Sequence, residues 1–389
     1  MKTAKTPQDL KPFIELCKAG KLFEVQKWID EGNPFLLPEQ KVGTRWKSPL
    51  EYTMERGFHS LLQILLEAGT PVNTFRYDAL THAIDLKRLD LIKLLQKHGA
   101  DLKSACMVQV FETWTPEIMD YFIENGADLE TEYPLAVALI WRIKTALGVY
   151  KRYKDRFSSF KEQLNIALRY HCKEGDTKWV SLLLWAGADP YSYGPSDPNQ
   201  DESTSYDSNA FERAMLGSHN DILELKKMKI DLNRPEIANV FETACRFSRF
   251  EFVEKMLKKG FKASMMEDES AVIQFLLDSI DWDYHNLFLE NRKKKNIDTH
   301  ETKEKMRLIH LLARHGFRWT PKDKSEIASA RRPLLKMKPD YTMEFIWIMS
   351  GYKSCDIEDV KELIRTPSMS SLIFEYRGRL NELLKTFIS

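Results

Sequence analysis

Glycine is scarce in this chain, 16 residues in 389. Neither GxGxxG nor GxxxxGK[ST] occurs, so the phosphate-cradling loops of nucleotide-dependent enzymes have no counterpart. The five cysteines, Cys17, Cys106, Cys172, Cys245 and Cys355, are odd in number, widely spaced and never paired as CxxC. That excludes a disulfide framework and a zinc knuckle and leaves reduced thiols as the expectation. Charge of one sign is missing too: 58 Lys and Arg stand against 57 Asp and Glu. No global field draws nucleic acid or a membrane surface, and partners have to be read by local shape and chemistry. No run of about 18 uncharged apolar residues occurs, and the N-terminus has no apolar h-region, so neither export nor membrane spanning is supported. The expected address is cytoplasmic, with the nucleus as the alternative.

What is present is a length beyond the roughly 250–300 residues one compact core sustains, so two domains or one elongated array are the choices. The few glycines recur in a phrase: Leu65-Leu-Glu-Ala-Gly69, Leu94-Leu-Gln-Lys-His-Gly-Ala-Asp101, Phe122-Ile-Glu-Asn-Gly-Ala-Asp128 and Leu183-Leu-Trp-Ala-Gly-Ala-Asp189. Met256-Leu-Lys-Lys-Gly260, Leu311-Leu-Ala-Arg-His-Gly316 and Trp28-Ile-Asp-Glu-Gly32 fit it, and Leu225-Lys-Lys-Met-Lys-Ile-Asp231 is a version without the glycine. A helix that ends in a left-handed residue favours glycine just past its last turn. Twelve residues before Gly32, Gly69 and Gly187 stand Gly20, Gly57 and Gly175, where a tight turn would join two antiparallel helices. Seven residues before that turn lies an apolar slot, filled by Phe13, Leu50, Leu168 and Phe241, and three before it a small-hydrophobe slot, filled by Cys17, Met54, Cys172, Ala214 and Cys245.

These landmarks resemble the ankyrin repeat, most closely over Ser48-Pro-Leu-Glu through Asn73. The resemblance implies an all-α fold, an ankyrin-repeat α-solenoid of roughly 8–9 stacked helix–turn–helix units, some of them degenerate. The array spans 1–320, degenerate or inserted around 131–160, 190–209 and 281–303, and residues 321–389 form a C-terminal helical cap that covers the terminal apolar face. Within that cap 341–351, 357–364 and 371–388 read as helical.

In that family the loop edge and the face made by first helices engage partners. The resemblance therefore makes Arg45, Trp46, Phe75, Arg76, Tyr77, Tyr191, Tyr193 and Trp319 the partner-binding candidates, since all fall between a terminal glycine and the next first helix. Aromatic and arginine side chains dominate interface energetics. The alternative for each is packing between neighbouring repeats. Trp28, Trp179 and Trp185 are expected in the inter-repeat core or at its edge.

The expected function is a protein-interaction scaffold, adaptor or inhibitor whose partner is another protein. No catalytic residue, cofactor or metal ligand is singled out. The rival is an enzyme or toxin-like activity in 281–389, supported only by Asp281, Asp283, His285, His300, His310 and His315, whose spacing suits a metal poorly: His310 and His315 are five apart and no HExxH occurs. A third reading, nucleic acid on Arg292-Lys-Lys-Lys295 and Arg331-Arg332, has flanking acidic residues against it. Nothing in the chain specifies an oligomeric state.

Overall fold

The computed structural model describes residues 2–39, 46–74, 77–199, 207–290, 300–336 and 339–365. The chain divides into two compact units, 1–167 with 197–204, and 168–196 with 205–389.

In the first unit five helix pairs follow one another: α1 (Lys11–Lys18) and α2 (Leu22–Asp30), α3 (Pro49–Arg56) and α4 (His59–Glu67), α5 (Ala79–Asp85) and α6 (Leu89–Lys97), α7 (Met107–Thr113) and α8 (Pro116–Glu124), α9 (Pro134–Ile140) and α10 (Thr145–Tyr153). All five second helices are nine residues long. First helices pack side by side, α1 on α3, α3 on α5, α5 on α7 and α7 on α9, while α2, α4 and α6 form a second layer. A two-residue-per-strand ribbon, β1 (Asn73–Thr74) and β2 (Tyr77–Asp78), projects between α4 and α5 with Asn73 opposite Asp78. Among the described residues the remaining extended pairing is confined to single bridges, Thr3 with Leu36 and Gly194 with Ser208.

Helix α11 (Phe160–Glu174) crosses from the first unit into the second. The second unit continues with α12 (Thr177–Ala186), α13 (Ala210–Leu216), α14 (Asn220–Leu223), α15 (Ile237–Arg246), α16 (Phe250–Lys258), α17 (Glu269–Glu290), α18 (His300–Arg314), α19 (Lys324–Lys336), α20 (Pro339–Gly351) and α21 (Ile357–Ile364). Its layers are α13, α15, α17, α19 and α21 on one side, and α16, α18 and α20 on the other. Of the segment 281–303 expected as an insertion, 281–290 belong to the 22-residue α17 and 300–303 to the 15-residue α18, while 291–299 lie outside the described residues. Residues 321–365 add a further helix pair and α21; 371–388 lies outside the described residues.

The repeat pattern acts through its buried slots and its left-handed turns. Phe13, Leu50, Leu168, Phe241, Cys17, Met54, Cys172, Ala214 and Cys245 are all at most 1% exposed. Ser48 caps α3 with a reciprocal Ser48–Glu51 capping box and Pro49 in the first turn, the local reason the Ser-Pro-Leu-Glu phrase starts a helix. Every terminal glycine of the phrase has positive φ, from 73° at Gly32 to 104° at Gly260. The turn inside these pairs is left-handed as well, at Gly20, Gly57 and Gly175, and elsewhere at the non-glycine residues Lys87, Trp114, Arg142, Ser218 and Ser248. Gly217, the glycine expected there, has φ −75°, so the turn falls one residue later, at Ser218.

These turns are closed by the following repeat. In four repeats the residue after the left-handed position lies over the turn of the repeat before: Phe58 over Gly20, Arg88 over Gly57, His219 over Gly175 and Arg249 over Ser218. The polar members also satisfy carbonyls at the helix ends. Arg88 donates to Gly57 O at 3.4 Å, His219 Nε2 to Lys173 O at 3.0 Å and Arg249 to Met215 O at 2.5 Å.

The phrase at 225–231 does not form its expected second helix. Helix α14 ends at Leu223, and Met228 and Ile230 are buried two apart, a spacing that suits irregular chain rather than a helix. The polar backbone of this stretch is satisfied instead by Tyr191, whose Oη donates to Lys229 O at 2.9 Å and accepts from Asp231 N at 2.8 Å.

Candidate interaction surfaces

On a first helix, positions three, four and seven apart share the face turned away from the second helix. In the first unit that face is half-exposed or exposed at Glu15 and Lys18, Tyr52 and Glu55, His82 and Asp85, Gln109 and Glu112, and Val137, Ile140 and Trp141. It is partly knit together: Lys18 Nζ lies 4.6 Å from the Tyr52 ring centre, Lys47 is paired with Glu55, and Gln109 donates to Asp85. At its end Trp141 is 66% exposed. Trp141, Leu86 and, in the second unit, Phe247 all occupy the last residue before a left-handed turn, and all three are exposed. The sequence reading missed them. Their signal was a large apolar residue just before a turn slot, where Arg56 and Glu174 stand in other repeats.

The residues singled out from sequence divide. Arg45, Phe75 and Arg76 lie outside the described residues, and Tyr77 is placed by its backbone on β2. Trp46 is half-buried just before α3. Tyr193 is 37% exposed and its Oη donates to Glu212 at 2.6 Å.

Tyr191 and Trp319 are corrected: both are core. Tyr191 is 4% exposed, with its ring 4.9 Å from Phe211 and the Arg234 guanidinium over it at 5.0 Å. Trp319 is fully buried, donates from Nε1 to Gln274 at 3.0 Å and meets Phe345 edge-on at 5.9 Å. Each supplies a polar handle inside an otherwise apolar junction. Trp185 is corrected the other way. Its neighbour Trp179 is 3% exposed, whereas Trp185 is 70% exposed on the outer side of α12.

The titratable groups have structural roles. Only Cys106 is exposed; burial pushes the thiols of Cys17 and Cys355 up to about 12 and raises those of Cys172 and Cys245 as well. Glu212 is 7% exposed, and burial lifts its carboxyl above the usual range even though Tyr193 and the Asn209 N–H donate to it. His310 Nε2 lies 3.0 Å from Tyr352 Oη. Among the described residues no group of three His, Cys, Asp or Glu is placed to hold a metal. The side chains of Asp281, Asp283 and His285, and residues 292–295, lie outside those described. No helix among the described residues is long and apolar enough to cross a membrane.

Antiparallel helix pairs of this length, closed by left-handed turns and packed in two layers, define an all-α helical-repeat fold. No protein-family model matches the chain, and no curated protein does. Among solved structures it is similar to the ankyrin repeat domain of human ASB11, at 16% identity and a TM-score of 0.33, covering 55% of this chain and 98% of that one.

Proposed function

We propose that the chain is a protein-interaction scaffold that acts as an adaptor or inhibitor by occupying the surface of a partner protein, in the cytoplasm. What carries the reading is Trp141, two-thirds exposed at the end of a first-helix face built from five successive repeats. A large aromatic held on a rigid helical layer contributes contact area at low entropic cost, the usual property of an interface anchor. Leu86 extends the same position along the unit, and Trp46 and Tyr193 are the loop-edge contributors. Stacked repeats suit this role because the seam between helix pairs holds the fold and leaves the outer faces free to vary.

The test is affinity capture from the native source with wild type beside Trp46→Ala/Trp141→Ala, after circular dichroism has shown equal helicity. A protein captured by wild type and lost from the variant supports the reading. An unchanged set of captured proteins overturns it.

A further inference from the structure

The truncation of α14 has left a surface on the opposite layer of the second unit. A cleft of about 320 Å³ opens beside the one-turn helix, with Leu223 and Phe252 among its lining and Asn220, Glu224, Arg249, Glu251 and Lys255 around them. Arg249 spends its Nη2 on Met215 O and Ser218 Oγ, and its Nε has no hydrogen-bond partner among the described residues. The stretch that replaces the missing helix lies along α16, with Lys255 Nζ 3.4 Å from Leu223 O and Lys259 Nζ 3.5 Å from Ile230 O.

Lysines gather along this seam. Lys226, Lys227 and Lys229 are exposed on the stretch, and Lys258, Lys259 and Lys262 are exposed at and just beyond the end of α16. The carboxylates beside them are Glu224, Asp231, Glu251 and Glu254, the last already held by Lys258 at 2.9 Å, so the six exposed lysines outnumber them. Lys226, Lys227, Lys229 and Lys262 have no carboxylate partner among the described residues. Cations near a helix C-terminus are ordinarily explained by the helix dipole, which covers Lys258 and Lys259. It does not cover Lys226, Lys227 and Lys229, because the helix before them is a single turn that ends at Leu223. Like charges kept together without carboxylate partners raise the free energy of the free protein and are relieved by an anion.

We infer that this seam docks an acidic segment of a partner protein, one apolar side chain entering the cleft over Leu223 and Phe252 while flanking carboxylates meet the lysines. The surface is separate from the first-helix face and loop edge, so it stands whether or not those bind. An acidic peptide fits better than nucleic acid because the cleft offers an apolar floor of side-chain size and no exposed aromatic ring on which a base would stack.

The probe is a fluorescein-labelled dodecapeptide of glutamates with one central leucine, titrated against the full chain by anisotropy, beside an all-glutamate peptide and a twelve-nucleotide single strand. Wild type is expected to bind the leucine peptide more tightly than the other two, with affinity falling as salt rises. Lys226→Glu/Lys227→Glu/Lys229→Glu, which breaks no side-chain hydrogen bond or ion pair among the described residues, is expected to weaken that binding at least about tenfold. Failure of wild type to bind, equal binding by the triple variant, or no preference over the all-glutamate peptide each overturns the inference. Tighter binding of the single strand overturns it in favour of nucleic acid.

Discussion

Replacing Gly175 by alanine tests how one repeat closes the turn of another. Gly175 has φ +75°, and a Cβ there would lie 2.5 Å from the ring of His219, which donates to Lys173 O at 3.0 Å. Placing alanine in the left-handed region costs about 1–2 kcal/mol relative to glycine. The stiffer unfolded chain returns about 0.4–1 kcal/mol of that. The displaced imidazole gives up a hydrogen bond worth about 0.5–1.5 kcal/mol. A net loss of about 1–2 kcal/mol follows, read as a lower urea midpoint by circular dichroism. The diagnostic is the double-mutant cycle. In a His219→Ala background the ring is gone, so Gly175→Ala should cost only its backbone part and the coupling should be about 1 kcal/mol. Equal costs in both backgrounds would refute the inter-repeat turn closure.

Thiol reactivity is expected to be confined to Cys106: Ellman's reagent should titrate one thiol quickly in the native protein and five after denaturation, because burial holds the other four protonated. Tyr191→Phe should destabilise by about 1–3 kcal/mol, since it leaves the Lys229 carbonyl and the Asp231 amide without the partner they share, and equilibrium unfolding measures this. The Asp120 carboxyl is raised by burial, but donors from Tyr153 and Arg152 outweigh that and hold it below the usual range. Its contribution is therefore present above the unfolded carboxylate pKa and lost as pH falls. Asp120→Asn should lower stability at pH 7 by under about 1 kcal/mol, the pair being partly exposed, with the gap closing in acid. Truncation after residue 320 uncovers the faces of α17 and α18 that α19 and α20 occupy, and should show as aggregation or increased dye binding.

The helix pairs were legible because glycine marked their ends: Gly32, Gly69, Gly99, Gly126, Gly187, Gly260 and Gly316 all adopt the left-handed conformation their phrase requires. Lys87, Trp114, Arg142 and Ser218 make the same turn without announcing it, since a non-glycine residue is held there by packing that only the folded chain supplies, whereas Ser248 was betrayed by Phe241 and Cys245 at their slots before it. The short α14 was hidden for a related reason. Its Leu-Lys-Lys-Met-Lys sequence carries a helical pattern, and only the absent glycine hinted that the chain leaves the helix early. The surface was less legible than the core. Tyr191 and Trp319 share composition and position with Tyr193 and Trp46, and what separates them is which hydrogen-bond partners the next repeat presents. Trp141 was missed because it sits before a turn built on Arg142 rather than glycine.

The most direct measurement of the interaction account is photo-crosslinking from a benzoylphenylalanine placed singly at Trp141, Trp46 or Phe23 in cells of the native source. Phe23 is 84% exposed at the start of α2, in the other layer, and serves as the reference. The account predicts one common protein crosslinked from positions 141 and 46 and absent from 23. Crosslinks of equal yield from all three, or a discrete partner from 23 alone, would contradict it.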